Sequence, residues 1–495
     1  MALPAWISRL LPAGKLRKRR FDAAQYNRLT SSFHQSARSI NMELRGDLDA
    51  LRRRSRDLAK NEPMARKFLS LVGTNVVGPI GFKLQARVKG DDGKQDTFAN
   101  DAIEAAYYDW CRVGNCEVTG RMSMADLERA IMRAVARDGE ALLVEKQGYP
   151  NKYGYALQLI DIERLDTSFN REASPGINAV IMGVEINNEG RALAYWLASA
   201  RFGRDPSGRN LERVDAAQII HIFLTDDPEQ LRGIPWMHAS MIRMHHLKGY
   251  EEAAIIAARV GASKMGFFEQ PEGDSTSLTN AVGDGEDKEG IPFTEAEPAQ
   301  FGAMPPGWKF HAFNPDYPHD QFPEFVKSAK RDIGSGVDVA YHSLANDLEG
   351  VNFSSIRSGT LEERDVWMIH QGWFIGVFLE RIYANWLSNA LLSGAILLPN
   401  GSALPAAKYR KFLAHEFQGR RWSWVDPKKD IEAAILAIDN NLASPYSIAA
   451  QQGMDAEEVL DDIARFQQAV RDRGIEAKPA APAQPNQNNL DGDDE

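Results

Sequence analysis

"PWMHASMIRMHHLKGYEEAAIIAARVGASKMGFF" occupies residues 235–268 and reads as one long helix. Met237, Met241, Met244, Leu247, Tyr250, Ala254 and Ala257 recur at steps of three and four, the period of a single helical face. Its second half is rich in alanine, which allows close approach to neighbouring helices. Residues 270–300 ("PEGDSTSLTNAVGDGEDKEG…") are polar, acidic and rich in glycine, with little to bury. "PPGWKFHAFNPDYPHDQF" returns from that excursion, and Pro323 opens a second helix, "PEFVKSAKRDIGSGVDVAYHSL". The organisation is a helix out, a small excursion and a helix back.

The flanks are of two kinds. On the N-terminal side, "KLRKRR" and "LRRRSRDLAK" read as a basic arm and helix over 1–59. Such a tract is either a solvated helical face or an arm that touches nucleic acid or an acidic neighbouring subunit. Asn61 is placed to cap a helix with Pro63 in its first turn, and Met64, Phe68, Leu71 and Val72 form its apolar face. Gly73, Gly78, Pro79 and Gly81 then break it. Helical patterns over 98–137 lead to a sharp turn at Asp138–Gly139 and a block of strands. "GVEINNEGRALAYW" there has a hairpin signal in its "NNEG". This is an α+β region with a largely antiparallel sheet. On the C-terminal side, "GVNFSSIRSGTLEERDVWMIHQGWF" (350–374) launches a helix running to about Leu392, with Trp367, Gln371, Phe374, Phe378, Ile382 and Trp386 as a buried spine. Thr360 and Glu363 have the spacing of a capping box, and Ser354 or Ser355 could cap an earlier turn. Further helices follow, and the proline- and acid-rich 476–495 has the composition of a disordered tail.

Composition narrows the function. The chain has 495 residues and a formal net charge of -10, which argues against gripping nucleic acid with the whole surface, because tight phosphate binding needs concentrated Lys and Arg. Cys111 and Cys116 lack zinc spacing and read as reduced structural thiols. "MALPAWISRLLPAGKLRKRR" has its apolar stretch before its basic cluster, the reverse of a secretory signal, and no membrane span is expected. No Gly-x-Ser-x-Gly elbow frames Ser354 or Ser355, and neither His342 nor His370 is singled out as a base. His238, His245 and His246 lack the H-E-x-x-H pattern, and the pairs Asp226–Asp227 and Asp461–Asp462 are far apart. The expectation is a protein that is not an enzyme and holds no cofactor and no metal.

Seven stretches, in order over about residues 60–465, together resemble the lambda-type family of tailed-phage portal proteins. They are "NEPMARKFLSLVGTNVVGPIGFKLQA", "ARDGEALLV", "LQLIDIERLD", "GVEINNEGRALAYW", "IIHIFLTDDPEQLRGIPWM", "NFSSIRSGTLEERDVW" and "WVDPKKDIEAAILAIDNNLAS". Each is modest alone, and their colinear set is specific. The resemblance implies an α+β portal protomer, assembled as a ring that is typically a dodecamer. It has a wing (60–234), a first stem helix (235–264), a clip (265–322), a second stem helix (323–340) and a tunnel loop (341–353). A spine helix of the wing (354–398) and a helical crown (399–475) complete it. It further implies passage of double-stranded DNA during packaging and ejection. The implied partners are the terminase large subunit, a head–tail connector and the major capsid or scaffold protein, and the implied location is the capsid portal vertex. Candidate phosphate contacts are Lys327, Lys330 and Arg331; candidate tunnel-loop residues are Asn346, Asp347, Glu349 and Asn352; candidate hinges are Gly334 and Gly336. The alternatives are another ring-forming head–tail connector and, from a different class, a metal-dependent nuclease built on the scattered carboxylates.

Overall fold

The computed structural model describes residues 38–199, 210–262, 321–349, 353–422 and 427–473, and the backbone of short strands between 266 and 312. Asn352, the first 37 residues and the tail beyond 473 lie outside the described residues. Helix α1 (Ile40–Asn61) leads into α2 (Pro63–Val72) across Glu62, which takes the N-cap position. Asn61 therefore ends one helix rather than starting the next, and its amide donates to Asp57 Oδ1. Gly73 does not break α2 either; the chain widens into a π-type turn over Gly73–Val77 and reverses at Gly78, where φ is 81°. The basic tract of α1 is divided: Arg53 and Arg54 are exposed, while Arg52 and Arg56 turn inward.

Strand β1 (Lys83–Ala86) and helix α3 (Thr97–Trp110) come next, followed by α4 (Met124–Asp138). The sheet of the body is centred on β2 (Glu140–Gln147), flanked antiparallel by β3 (Tyr155–Ile160) and β8 (Ile219–Phe223). β2 is buried on both faces. Ala141 and Leu143 join the main core, and Leu142 and Val144 join a second cluster with Ile160, Leu165 and Tyr195. Helix α4 reaches it through Gly139, at φ 89°, where any side chain would strike the backbone of Gly233 and Ile234. A four-stranded antiparallel meander covers the second cluster: β4 (Ala179–Ile181), β5 (Val184–Ile186), β6 (Ala192–Ala198) and β7 (Leu211–Asp215). The β5–β6 turn is the expected "NNEG", held by Asn187 Oδ1 accepting from the N–H groups of Glu189 and Arg191.

The spine helix runs as α8 (Phe353–Phe374), a π-type turn (Ile375–Leu379) and α9 (Glu380–Leu392). All six expected spine residues are buried. Thr360 and Glu363 lie inside α8 rather than at its start, and the Glu363 carboxylate accepts from Ser343 Oγ (2.8 Å) and Trp367 Nε1 (3.1 Å). After Leu392 the chain returns to the body: β9 (His415–Gln418) pairs antiparallel with β1. Residues 415–418 thus pair with the body, and the C-terminal helical part after them begins at Pro427. It comprises α11 (Pro427–Asp439), α12 (Pro445–Gln451) and α13 (Ala456–Asp472), with α10 (Tyr409–Phe412) preceding β9.

Candidate nucleic-acid interface

Helix α5 (Met241–Ala262) and helix α6 (Phe322–Ser335) are the two helices of the out-and-back pattern. A short antiparallel ribbon, Gly266–Glu269 with Lys309–Ala312, continues the pair beyond α5 and before α6. The helices are joined by aromatic contact and by charge. Tyr250 stacks on Phe322 (5.3 Å between centroids) and meets Phe325 edge-on (5.0 Å). Lys330 Nζ lies 3.1 Å from Glu251 Oε1, Arg243 pairs with Asp332, and Ser240 Oγ donates to the Ile333 carbonyl at 3.0 Å.

α6 ends at Ser335, five residues earlier than expected. Gly334 sits against the Val339 carbonyl and Gly336 against Ser240 Oγ, so neither position has space for a Cβ. With Asp338 at φ 53°, the backbone turns out of the helix there. These two glycines permit close approach at the foot of the helix pair. Residues 341–345, expected within the loop, form a helical turn, α7 (Tyr341–Ala345), closed by Asn346 at φ 52° in the left-handed region. The described loop is therefore Asn346–Glu349.

One candidate cation, Lys327, lies near one candidate loop acid, Asp347. Asp347 accepts from the Tyr341 hydroxyl (2.6 Å) and from the Glu349 N–H (2.9 Å), and Lys327 Nζ approaches it at 3.8 Å. The Tyr341 hydroxyl, then the Glu349 N–H, hold the Asp347 carboxyl below the usual carboxylate range. Desolvation and then the Asp347 carboxylate push the Tyr341 phenol up to about 12. Arg331 lies over the Tyr341 ring, 5.5 Å from its centroid. Two of the three cations thus already face carboxylates of their own chain. Sequence reading missed Glu251, Tyr341 and Asp332, because pairing across two helices depends on their relative rotation, which spacing along one helix does not fix.

At the foot of the pair, His370 of α8 stacks on Trp236 (4.6 Å) beside a cavity of about 170 Å³ that Asp338 and Trp367 also line. Burial lowers the His370 imidazole. The segment entering α5 is thereby packed on the spine helix. Ser354 and Ser355 fall within the first turn of α8. Among the described residues no three His, Cys, Asp or Glu side chains gather as metal ligands, and no helix is long and apolar enough to cross a membrane.

The structure is an α+β body joined to a pair of helices, two of whose lysines face carboxylates of the same chain. The model of the family described as phage portal protein, lambda family, matches residues 26–371. A probable portal protein of Halomonas phage phiHAP-1 is 34% identical over 463 residues, covering 90% of this chain and 87% of the relative. Portal protein B of Escherichia phage lambda is 20% identical over 464 residues, covering 86% and 85%. Among solved structures, a chain from the neck of an empty gene transfer agent particle is 13% identical at a TM-score of 0.43, covering 82% of this chain and 93% of that one. The chain belongs to the lambda family of phage portal proteins, and its function is that of a phage portal protein.

Proposed function

We propose that copies of this chain close into a ring, a dodecamer, at one vertex of the capsid, and that double-stranded DNA passes through its axial channel. In this reading α5 and α6 are the stem and residues 265–322 the clip on which the terminase large subunit docks, with a head–tail connector replacing it later. The wing and the helices after Pro427, the crown, meet the major capsid or scaffold protein. Assembly takes place in the host cytoplasm, and the mature location is the virion. The observation that carries the reading is the pair of helices, bound by Tyr250, Phe322, Lys330 and Glu251, that flanks the long polar excursion. A channel must not hold its cargo, and each phosphate bound by a free cation adds counterion-release affinity. Lys327 and Lys330 already face Asp347 and Glu251, which supports a bore that touches DNA weakly, with Arg331 as its most available cation. Gly334 and Gly336 are the points at which the junction would bend as the loop moves.

Negative-stain microscopy of the purified chain, with the mass of the main species, tests this. Closed rings with an axial hole wide enough for a duplex are expected. A folded chain that stays monomeric or dimeric would overturn the reading.

A further inference from the structure

Two surfaces in the C-terminal part lack a partner among the described residues, and they are complementary. The first is α13. Leu460, Ile463 and Phe466 are 53%, 46% and 70% exposed, and they form one stripe at the helical period. The stripe has an acidic setting: Glu457, Asp461 and Asp462 lie in the first half of the helix, and Asp462, which borders the stripe, is exposed and pairs only with the equally exposed Arg465 one turn on. A helix with an apolar face this open is not stable by propensity alone and is normally covered.

The second surface is a groove of about 350 Å³ between α8, α11 and α12, lined by Leu361, Ala433, Ala434, Ala437, Ile448 and Arg364. Its floor of alanines leaves room for large side chains. Its rim also holds Arg357, paired with Asp430, beside Arg364. Arg364 and Arg420 both lie over the Trp422 ring, at 5.7 and 5.6 Å. Among the described residues Arg420, on the far side of that ring, bonds neutral oxygens, those of Thr74 and Asn75. The Nε of Arg364 is buried without a hydrogen-bond partner. Asp430, the acid facing Arg364, is itself bonded to Arg357 at 2.7 Å. Two half-buried guanidinium groups, Arg364 and Arg420, held over one ring against their repulsion mark a place where an anion belongs.

We infer that α13 of one copy lies in the α8–α11–α12 groove of the next, its Leu460–Ile463–Phe466 stripe on the alanine floor and Asp462 toward Arg364. The groove and the helix are different surfaces, so the contact is head-to-tail, and head-to-tail contacts repeat around an axis and close into rings. This rests on the ring reading above and assigns the residues that would select the neighbour.

The test uses the full chain. Ala434→Cys and Ile463→Cys chains are co-expressed and treated with a short bis-maleimide, each single variant and the unsubstituted chain serving as controls for Cys111 and Cys116. A product of two chains in the mixture alone is expected, together with rings by mass. Rings without that product, or linkage only within one chain when both substitutions share it, overturn the inference and leave the ring reading standing. Absence of rings from the unsubstituted chain overturns both. As a second arm, Arg364→Glu should lower the ring fraction at least several-fold, and adding Asp462→Arg should restore most of it. A double variant no better than the single one would also sink the inference.

Discussion

Glu128 of α4 is a fully buried carboxyl that accepts one hydrogen bond, from the Phe82 N–H at 3.2 Å. Burial drives it from an ordinary 4.5 up to about 8, so it is mostly neutral at pH 7. It is one of four side chains that close the free edge of β1: the N–H groups of Phe82, Leu84, Ala86 and Val88 donate to Glu128, Tyr108, Glu104 and Asn100 in turn. The helices thus supply what a neighbouring strand would, and an open edge able to pair with another chain is removed. Because the folded carboxyl is harder to ionise than the unfolded one, its contribution is fully present below about pH 4.5 and is lost as pH rises to about 8. Glu128→Gln should abolish that slope. In urea titrations the variant should gain on the wild type by roughly 3 kcal/mol between pH 5 and 8. Parallel curves would show that Glu128 ionises freely. A second buried acid is compensated differently. Glu140 accepts from Arg52, Arg232 (2.9 Å), the Gly233 N–H (3.2 Å) and His221 Nε2 (2.6 Å). Burial, with Arg232 and Arg52 beside it, drives the His221 imidazole well below its usual range, so the neutral ring donates. Arg232 also donates to the Met182 and Leu165 carbonyls, so this one cluster ties α1, β2, β8 and the meander together.

Helices that repeat their apolar residues were legible wherever one face meets one core. The spine from Trp367 to Trp386 is such a case, and so is the α5 face through Met241, Met244 and Leu247. What spacing could not reveal was where helices stop for reasons outside themselves. α6 ends because Gly336 must pass Ser240, which precedes α5. Asn61 has the chemistry of a cap, yet α1 continues through it because Leu58 and Ala59 are buried in the core cluster that α2 joins. β9 is hidden among helical patterns because a four-residue strand whose partner, β1, is far away in the chain leaves no local signature. Two glycines measure the difference between a helix's own preference and its surroundings. Gly249 lies inside α5 with nothing within 4 Å of the place a Cβ would take, whereas Gly336 is pressed on Ser240 Oγ. Gly249→Ala should stabilise the chain by about 0.5–1 kcal/mol, the helix-propensity gain. Gly336→Ala should destabilise it by about 1–3 kcal/mol through overpacking. Thermal melts of the two variants check both signs, and a loss from Gly249→Ala would mean that the open side of α5 is filled in the folded assembly.

For the molecule as a whole, the question is how an acidic protein handles a polyanion. The cations were legible in the sequence, but their partners were not. Lys327, Lys330 and Arg331 do lie together on α6, and the carboxylates facing the two lysines come from the following loop and from α5. Pairing of this kind does little for stability where the groups are part-exposed. It does lower the charge offered to a passing phosphate. If that is its use, removing the carboxylates should make the protein hold DNA. Glu251→Gln frees Lys330, and Asp347→Asn frees Lys327 while releasing Tyr341 beneath Arg331. The double variant should bind duplex DNA more tightly at low salt, with log K falling more steeply against log salt by about 0.9 for each phosphate newly engaged. Titrating a labelled duplex from 50 to 200 mM salt (roughly the span over which such contacts weaken) reads that slope. Steeper binding by the variant, with rings intact, would place α6 on the bore and its salt pairs as the device that keeps DNA moving. Identical slopes for variant and wild type would place those lysines away from the duplex and leave Arg331 alone to meet it.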